Sequence, residues 1–114
     1  MRQLSGQRAW LLQRVSALML LLAALAFVLF ALLAPRPDWR AWQAFVAHPL
    51  GASCLVGFAL AIAIHAWVGV RDILLDYVHR TGLRLALLAA VAGIIIFTLL
   101  WVLLIVARVS LAPL

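Results

Sequence analysis

Four side chains in the stretch HAWVGVRDILLDY, residues 65–77, are of types that do chemistry: His65, Asp72, Asp76 and Tyr77. An imidazole can hydrogen-bond, ligate a metal or pass a proton. A carboxylate can accept or relay a proton, and a phenol can donate a hydrogen bond. At about 100° per residue, Asp72 falls about 20° to one side of His65 and Asp76 about 20° to the other. If one helix carries all three they share a stripe, with Tyr77 beside its end. The stripe starts inside an apolar run and leads out of it.

The elements that must position these groups follow from composition. The chain has 114 residues, of which 69% are hydrophobic and 11% charged. A soluble domain is nearer half apolar and a quarter charged, so this is the composition of a membrane protein. Three apolar runs are long enough to cross a bilayer: residues 15–34, with Ser16 as the one polar residue; 51–70, interrupted by Ser53 and His65; and 85–107, with Thr98. A helix needs about 20 residues to cross roughly 30 Å of hydrocarbon. None of the runs alternates with period two, which favours helices over barrel strands. Pro35 and Pro37 are expected to stop the first helix, His48-Pro49-Leu50-Gly51 to restart the chain, and Thr81-Gly82 to separate the second span from the third. The expected fold is an all-α membrane protein, residues 1–114 forming a single three-span domain.

Charge sets the expected orientation. Arginines 2, 8 and 14 precede the first span and arginines 71, 80 and 84 lie between the second and third, so six share one side; Arg36, Arg40 and Arg108 lie on the other. The positive-inside rule then puts the N-terminus in the cytoplasm and the C-terminus in the periplasm. Trp10, Trp39, Trp42 and Trp101 fall near expected interfaces, where amphipathic rings settle. The net charge of +6 is read through topology, since no basic cluster interleaved with aromatics suggests nucleic acid. A cleaved signal peptide is not expected: the first run is too long for a signal core, and Pro35 follows it without a convincing small-x-small site. Cys54 is the sole cysteine and makes no intrachain disulfide. With no phosphate-binding glycine loop, no Ser/His/Asp set and no Cys-x-x-Cys motif, chemistry is expected at the membrane and with help from other chains.

His65 lies six residues before Arg71, roughly 9 Å inside the end of its span. An ionisable group at that depth normally faces a partner. An interhelical hydrogen bond, ligation of a metal or haem, and a proton relay all satisfy it. Ser53, Gly57, Ala61, His65 and Gly69 form an i, i+4 row of small residues around the histidine. Such a row admits either another helix backbone or a flat cofactor. A haem with two histidine ligands would need a second one at membrane depth. His48 is at the outer border and His79 in the loop, so that ligand would have to come from another subunit.

HAWVGVRDILLDY followed by LRLALL, together with LLQRVSALML at the first span, resembles the small hydrophobic membrane-anchor subunit of bacterial succinate dehydrogenase. The resemblance extends over essentially the whole chain, including its three spans. It implies an anchor in the bacterial inner membrane that pairs with a second membrane-anchor subunit and holds an iron–sulfur subunit and a flavoprotein subunit at the cytoplasmic face. It implies that His65 is an axial ligand of a haem b shared with the partner anchor and that Arg14 contacts a haem propionate. It further implies that Tyr77 and Asp76 belong to a ubiquinone-reduction site, the tyrosine bonding a quinone carbonyl. Succinate oxidation itself would lie in the partner subunits.

Read without the resemblance, Tyr77 is equally an interfacial aromatic, Asp76 a solvated acid and Arg14 a snorkelling cation. Two departures stand out. The family pattern often continues with Lys-Pro after Asp-Tyr, whereas this chain reads Val78-His79-Arg80, and Asp72 is an added acid one turn before Asp76. The rival functions are a small proton-coupled transport or channel subunit and a purely structural scaffold. A relay should carry ionisable residues on toward the outer face, yet 51–64 offers only Ser53. A scaffold needs no histidine in its small-residue row.

Overall fold

The computed structural model describes residues 2–33 and 38–112. They form four helices: α1 (Arg2–Leu33), α2 (Trp39–Ala47), α3 (Pro49–Tyr77) and α4 (Thr81–Leu111). Three of them, taken over Gly6–Leu33, Pro49–Tyr77 and Thr81–Leu111, are long and apolar enough to cross a membrane. The long axis of the molecule is 52 Å, enough for a bilayer of about 40–45 Å including its headgroups. The all-α, three-span architecture expected from composition is the one observed.

The helices outrun the apolar segments. α1 begins thirteen residues before position 15, and α3 continues through Arg71 and Asp72 to Tyr77. The second span therefore does not end where its apolar run does, and His65, Asp72, Asp76 and Tyr77 lie on one unbroken helix. The break before α4 also differs from the expectation. It falls at Val78-His79-Arg80, and Thr81 and Gly82 already form the first turn of α4. Val78 is extended, and its N–H closes the last turn on the Leu74 carbonyl. Pro35 and Pro37, expected to end the first helix, lie outside the described residues.

α2 is an element that the apolar runs do not reveal. Asp38 caps it, its Oδ1 accepting from the Ala41 N–H at 2.8 Å, which satisfies one of the free donors of the first turn. Trp39, Trp42 and Val46 fall on one side, and Val46 is buried. The turn into α3 is a single residue. Pro49 has no N–H to continue α2 and forces the preceding residue out of the helical region. His48 accordingly takes φ −73°, ψ 133°, and its Nδ1 accepts from the Leu50 N–H at 3.2 Å, capping α3. This corner brings the Phe45 carbonyl onto Gly51, where a Cβ would collide with it.

α3 is the central element. α1 packs on one side of it and α4 on another, α2 bridges α3 and α4, and α1 does not reach α4. Few of the described residues are buried: Val46, Gly51, Ala61, Ala63 and Val68, together with Ser16. No residue of α4 is buried, although the helix is almost wholly apolar. Apolar faces all round are what lipid or a second membrane chain requires. The hydroxyls in the spans are closed on their own helices, Ser53 on the Pro49 carbonyl at 2.7 Å and Thr98 on the Ile94 carbonyl at 2.8 Å, so they cost little in hydrocarbon. Ser110 reaches further, donating to the Val46 carbonyl at 3.4 Å and tying the end of α4 to α2.

The corner at Gly51 generates a prediction. Gly51→Ala adds a methyl against backbone that cannot step aside, and overpacking of this kind costs about 1–3 kcal/mol. Gly82→Ala, with nothing near its added Cβ, is the matched control. Thermal unfolding in detergent should show a lowered transition for the first and none for the second; equal transitions would contradict the packing at the corner.

Candidate membrane cofactor site

The site is built where the start of α1 meets the second half of α3. The two helices run antiparallel, which brings Gln13 and Ser16 against His65. Ser16 is 3% exposed, the only buried polar side chain among the described residues. Its Oγ donates to the Gln13 carbonyl at 3.1 Å and lies 3.3 Å from His65 Nδ1. The Gln13 amide nitrogen lies 3.5 Å from the other ring nitrogen, Nε2. Gln13 Oε1 is buried and has no partner.

The small-residue row faces α1 along much of its length. Ala61 is 3% exposed. Gly57, Ala61 and Ile64 border a shallow apolar groove with Leu12, Ser16 and Met19. A Cβ on Gly69 would come within 3.3 Å of the Gln13 amide nitrogen. Of the two uses left open by sequence, close approach of another helix is realised here within the chain, and it is this approach that delivers Ser16 to the histidine. His65 itself remains half-buried, so part of its ring is open to the surroundings of the chain.

The remaining candidates are not gathered around His65. Asp72 is taken by its neighbour: Arg71 Nη2 donates to Asp72 Oδ1 at 2.7 Å and Nε at 3.0 Å. Both groups are partly solvent-exposed, so the pair adds little stability. It does turn Asp72 away from any relay with the histidine. Asp76 is exposed, and Tyr77, 78% exposed, closes the helix. Twelve residues of helix put Tyr77 about 18 Å along the axis from His65, so the two belong to separate places. Arg14 is exposed and its guanidinium rests 5.0 Å over the Trp10 ring, a cation–π contact one turn away on its own helix. Arg14 lies about 130° round α1 from the midpoint of Gln13 and Ser16. His48 is spent on capping α3, and His79 lies exposed between α3 and α4.

Sequence reasoning missed Gln13. It precedes the apolar run and looks like part of a polar tail, but it stands three residues before Ser16 and so shares its face. That spacing was the available signal.

The donor set suits one axial ligand and no more. Among the described residues no three His, Cys, Asp or Glu side chains come together to hold a metal ion. With Ser16 at one ring nitrogen and Gln13 approaching the other, this part of the chain offers a metal one imidazole at most.

Fold and site define a small polytopic helical membrane subunit. Residues 1–101 match the family described as succinate dehydrogenase/fumarate reductase transmembrane subunit, and the chain belongs to that family as a membrane anchor subunit. It is similar to the succinate dehydrogenase hydrophobic membrane anchor subunit of Coxiella burnetii, 29% identical over 96 residues that cover 84% of each chain. The protein of the same name from Rickettsia bellii is 30% identical over 97 residues, 83% of this chain and 76% of that one. The resemblance drawn from HAWVGVRDILLDY is thus confirmed at the level of family. An anchor of this kind is a component of an oxidoreductase complex, with partner subunits and a membrane, and its three spans fit a multi-pass protein of the bacterial inner membrane.

Proposed function

We propose that this chain anchors the flavoprotein and iron–sulfur subunits of a succinate dehydrogenase at the cytoplasmic face, shares a haem b with a second anchor subunit, and helps form the ubiquinone-reduction site. The observation that carries this is His65, half-buried in the second span and braced by Ser16, on the same unbroken helix that ends in Asp76 and Tyr77. The N-terminus and the α3–α4 turn lie in the cytoplasm, as the arginine distribution requires, and the C-terminus in the periplasm. The end of α3 then meets the side on which the catalytic subunits dock.

His65 would hold the haem through Nε2, once the Gln13 amide 3.5 Å away withdraws from it, with a second ligand supplied by the other anchor. Arg14, on another face of α1 and resting on Trp10, would swing its guanidinium off that ring to meet a propionate. Haem b, when bound, supplies a one-electron redox centre within the membrane. This chain's part is to orient the imidazole, fill the apolar surroundings and keep water from the ligand.

The quinone contacts lie apart from this, at the exposed end of α3. Reduction of a quinone takes two electrons and two protons. The electrons come from the iron–sulfur subunit, outside this chain. Tyr77 donates its hydroxyl to a quinone carbonyl oxygen, and Asp76 orients water or passes a proton to it. Both side chains are exposed in the isolated chain, as groups must be that meet a mobile lipid-soluble headgroup and a docked subunit. The proton-relay alternative gains nothing: Asp72 is paired with Arg71, and α3 carries no carboxylate, amine or imidazole between His65 and its start.

Two substitutions test the two halves separately. His65→Ala should remove the low-spin, six-coordinate b-type spectrum from the purified complex, while the spans still insert, since alanine is at home in lipid. An unchanged spectrum at full haem loading would show that His65 is not the ligand. Tyr77→Phe keeps the ring and loses the hydroxyl. One neutral hydrogen bond is worth about 0.5–1.5 kcal/mol, so quinone reduction by succinate should fall several-fold. Reduction of a soluble acceptor by succinate, and haem content, should hold. If the ratio of the two activities on the same membranes, normalised to flavin, matches wild type, Tyr77 is an interfacial anchor and nothing more.

A further inference from the structure

We infer that Ser16 is a positioning residue for His65: its hydroxyl fixes the imidazole as the Nδ1–H tautomer and so keeps the lone pair of Nε2 for a metal. The inference rests on the haem reading above and adds to it a residue on a different helix.

The hydrogen bonds of Ser16 select this tautomer. A serine hydroxyl has one hydrogen and two acceptor lone pairs. The Ser16 hydrogen is directed at the Gln13 carbonyl of its own helix, 3.1 Å away. Its oxygen is then an acceptor toward His65 Nδ1 at 3.3 Å, so Nδ1 carries the proton. The Gln13 amide nitrogen comes no closer to Nε2 than 3.5 Å, the outer limit of a hydrogen bond, and has to withdraw for Nε2 to meet a metal. In a neutral imidazole the two nitrogens have opposite roles, and the bond made by one decides the other.

Burial gives the contact its weight. Ser16 is 3% exposed, pressed between α1 and the Ala61 side of α3, where water does not compete for Nδ1. A hydroxyl there is not needed for packing, since alanine would fill the same apolar contact with less polar cost. A histidine ligand that donates its second N–H to an acceptor is held in orientation and becomes a stronger donor to the metal, and loss of such outer partners typically costs about 10–100-fold in metal affinity. A more electron-rich imidazole favours ferric over ferrous haem. Removing the acceptor should therefore raise the haem midpoint potential as well as loosen the haem.

The test uses the intact four-subunit complex with Ser16→Ala, Ser16→Cys and Ser16→Thr, reading haem per flavin after detergent washing, the haem midpoint potential by redox titration, and the low-spin electron paramagnetic resonance spectrum. Ser16→Ala should lower haem retention, raise the potential and shift the low-spin signal. Ser16→Cys keeps the volume but offers only a weak acceptor; it should move the potential in the same direction and keeps the inference testable if the alanine variant does not assemble. Ser16→Thr keeps the hydroxyl and should restore wild-type behaviour. A wild-type potential and haem content in Ser16→Ala or Ser16→Cys would overturn the inference while leaving His65 as ligand, and so would a threonine variant no better than alanine. Absence of any b-type spectrum from the wild-type complex would instead overturn the haem reading, and this inference with it.

Discussion

Every side-chain polar contact between α1 and α3 among the described residues converges on one imidazole: Ser16 meets one nitrogen of His65 and Gln13 approaches the other. In hydrocarbon an unpartnered polar group is costly and lipid offers no replacement. The two helices are therefore held in one register by the need to satisfy a histidine. Apolar packing alone would give no such register, because Leu- and Ala-rich faces slide past one another at little cost and lipid tails compete equally well for them. The small residues of α3 make the contact possible, and the polar pair on α1 specifies where it falls.

The other end of the molecule is fixed by backbone chemistry. Asp38 starts α2, Pro49 ends any continuation of it, and His48 caps α3 in turn. α2 is thereby folded against α3 and α4 at the end of the bundle opposite His65, with Ser110 closing the corner. Between these two ends the chain has little core of its own. α4 buries no residue, and most large apolar side chains face outward. An anchor built this way gains most of its packing from lipid and from its partner subunits.

The spans were legible because hydrocarbon imposes a length and a composition that survive in the sequence as apolar runs. Their true ends were not, since a helix continues through Arg71 and Asp72 or Arg8 and Arg14 as readily as through leucine once the backbone leaves the membrane. α2 escaped because nine residues of mixed Trp, Arg and Ala carry no run at all; only the Asp38 cap and the spacing of Trp39, Trp42 and Val46 announced it. The stripe through His65, Asp72 and Asp76 was legible as geometry, yet Asp72 is occupied by its neighbour Arg71, a choice of rotamer that periodicity does not encode. Ser16 was visible as the one polar residue of its run, but its partner was not, because pairing depends on the register of α1 on α3. The roles of His65, Arg14, Asp76 and Tyr77 came from the resemblance, and the family match supports the setting in which those roles are proposed.

The central claim is that His65, oriented by a hydroxyl from α1, is one of two axial ligands to a haem shared between anchors. A cryo-electron-microscopy map of the intact, haem-replete complex tests it most directly. Density for a planar macrocycle is expected between the two anchors, with its iron on His65 Nε2, a second ligand from the other anchor, and Ser16 Oγ still against Nδ1. A map in which His65 packs only against protein, or in which the macrocycle is ligated by other residues, would contradict it.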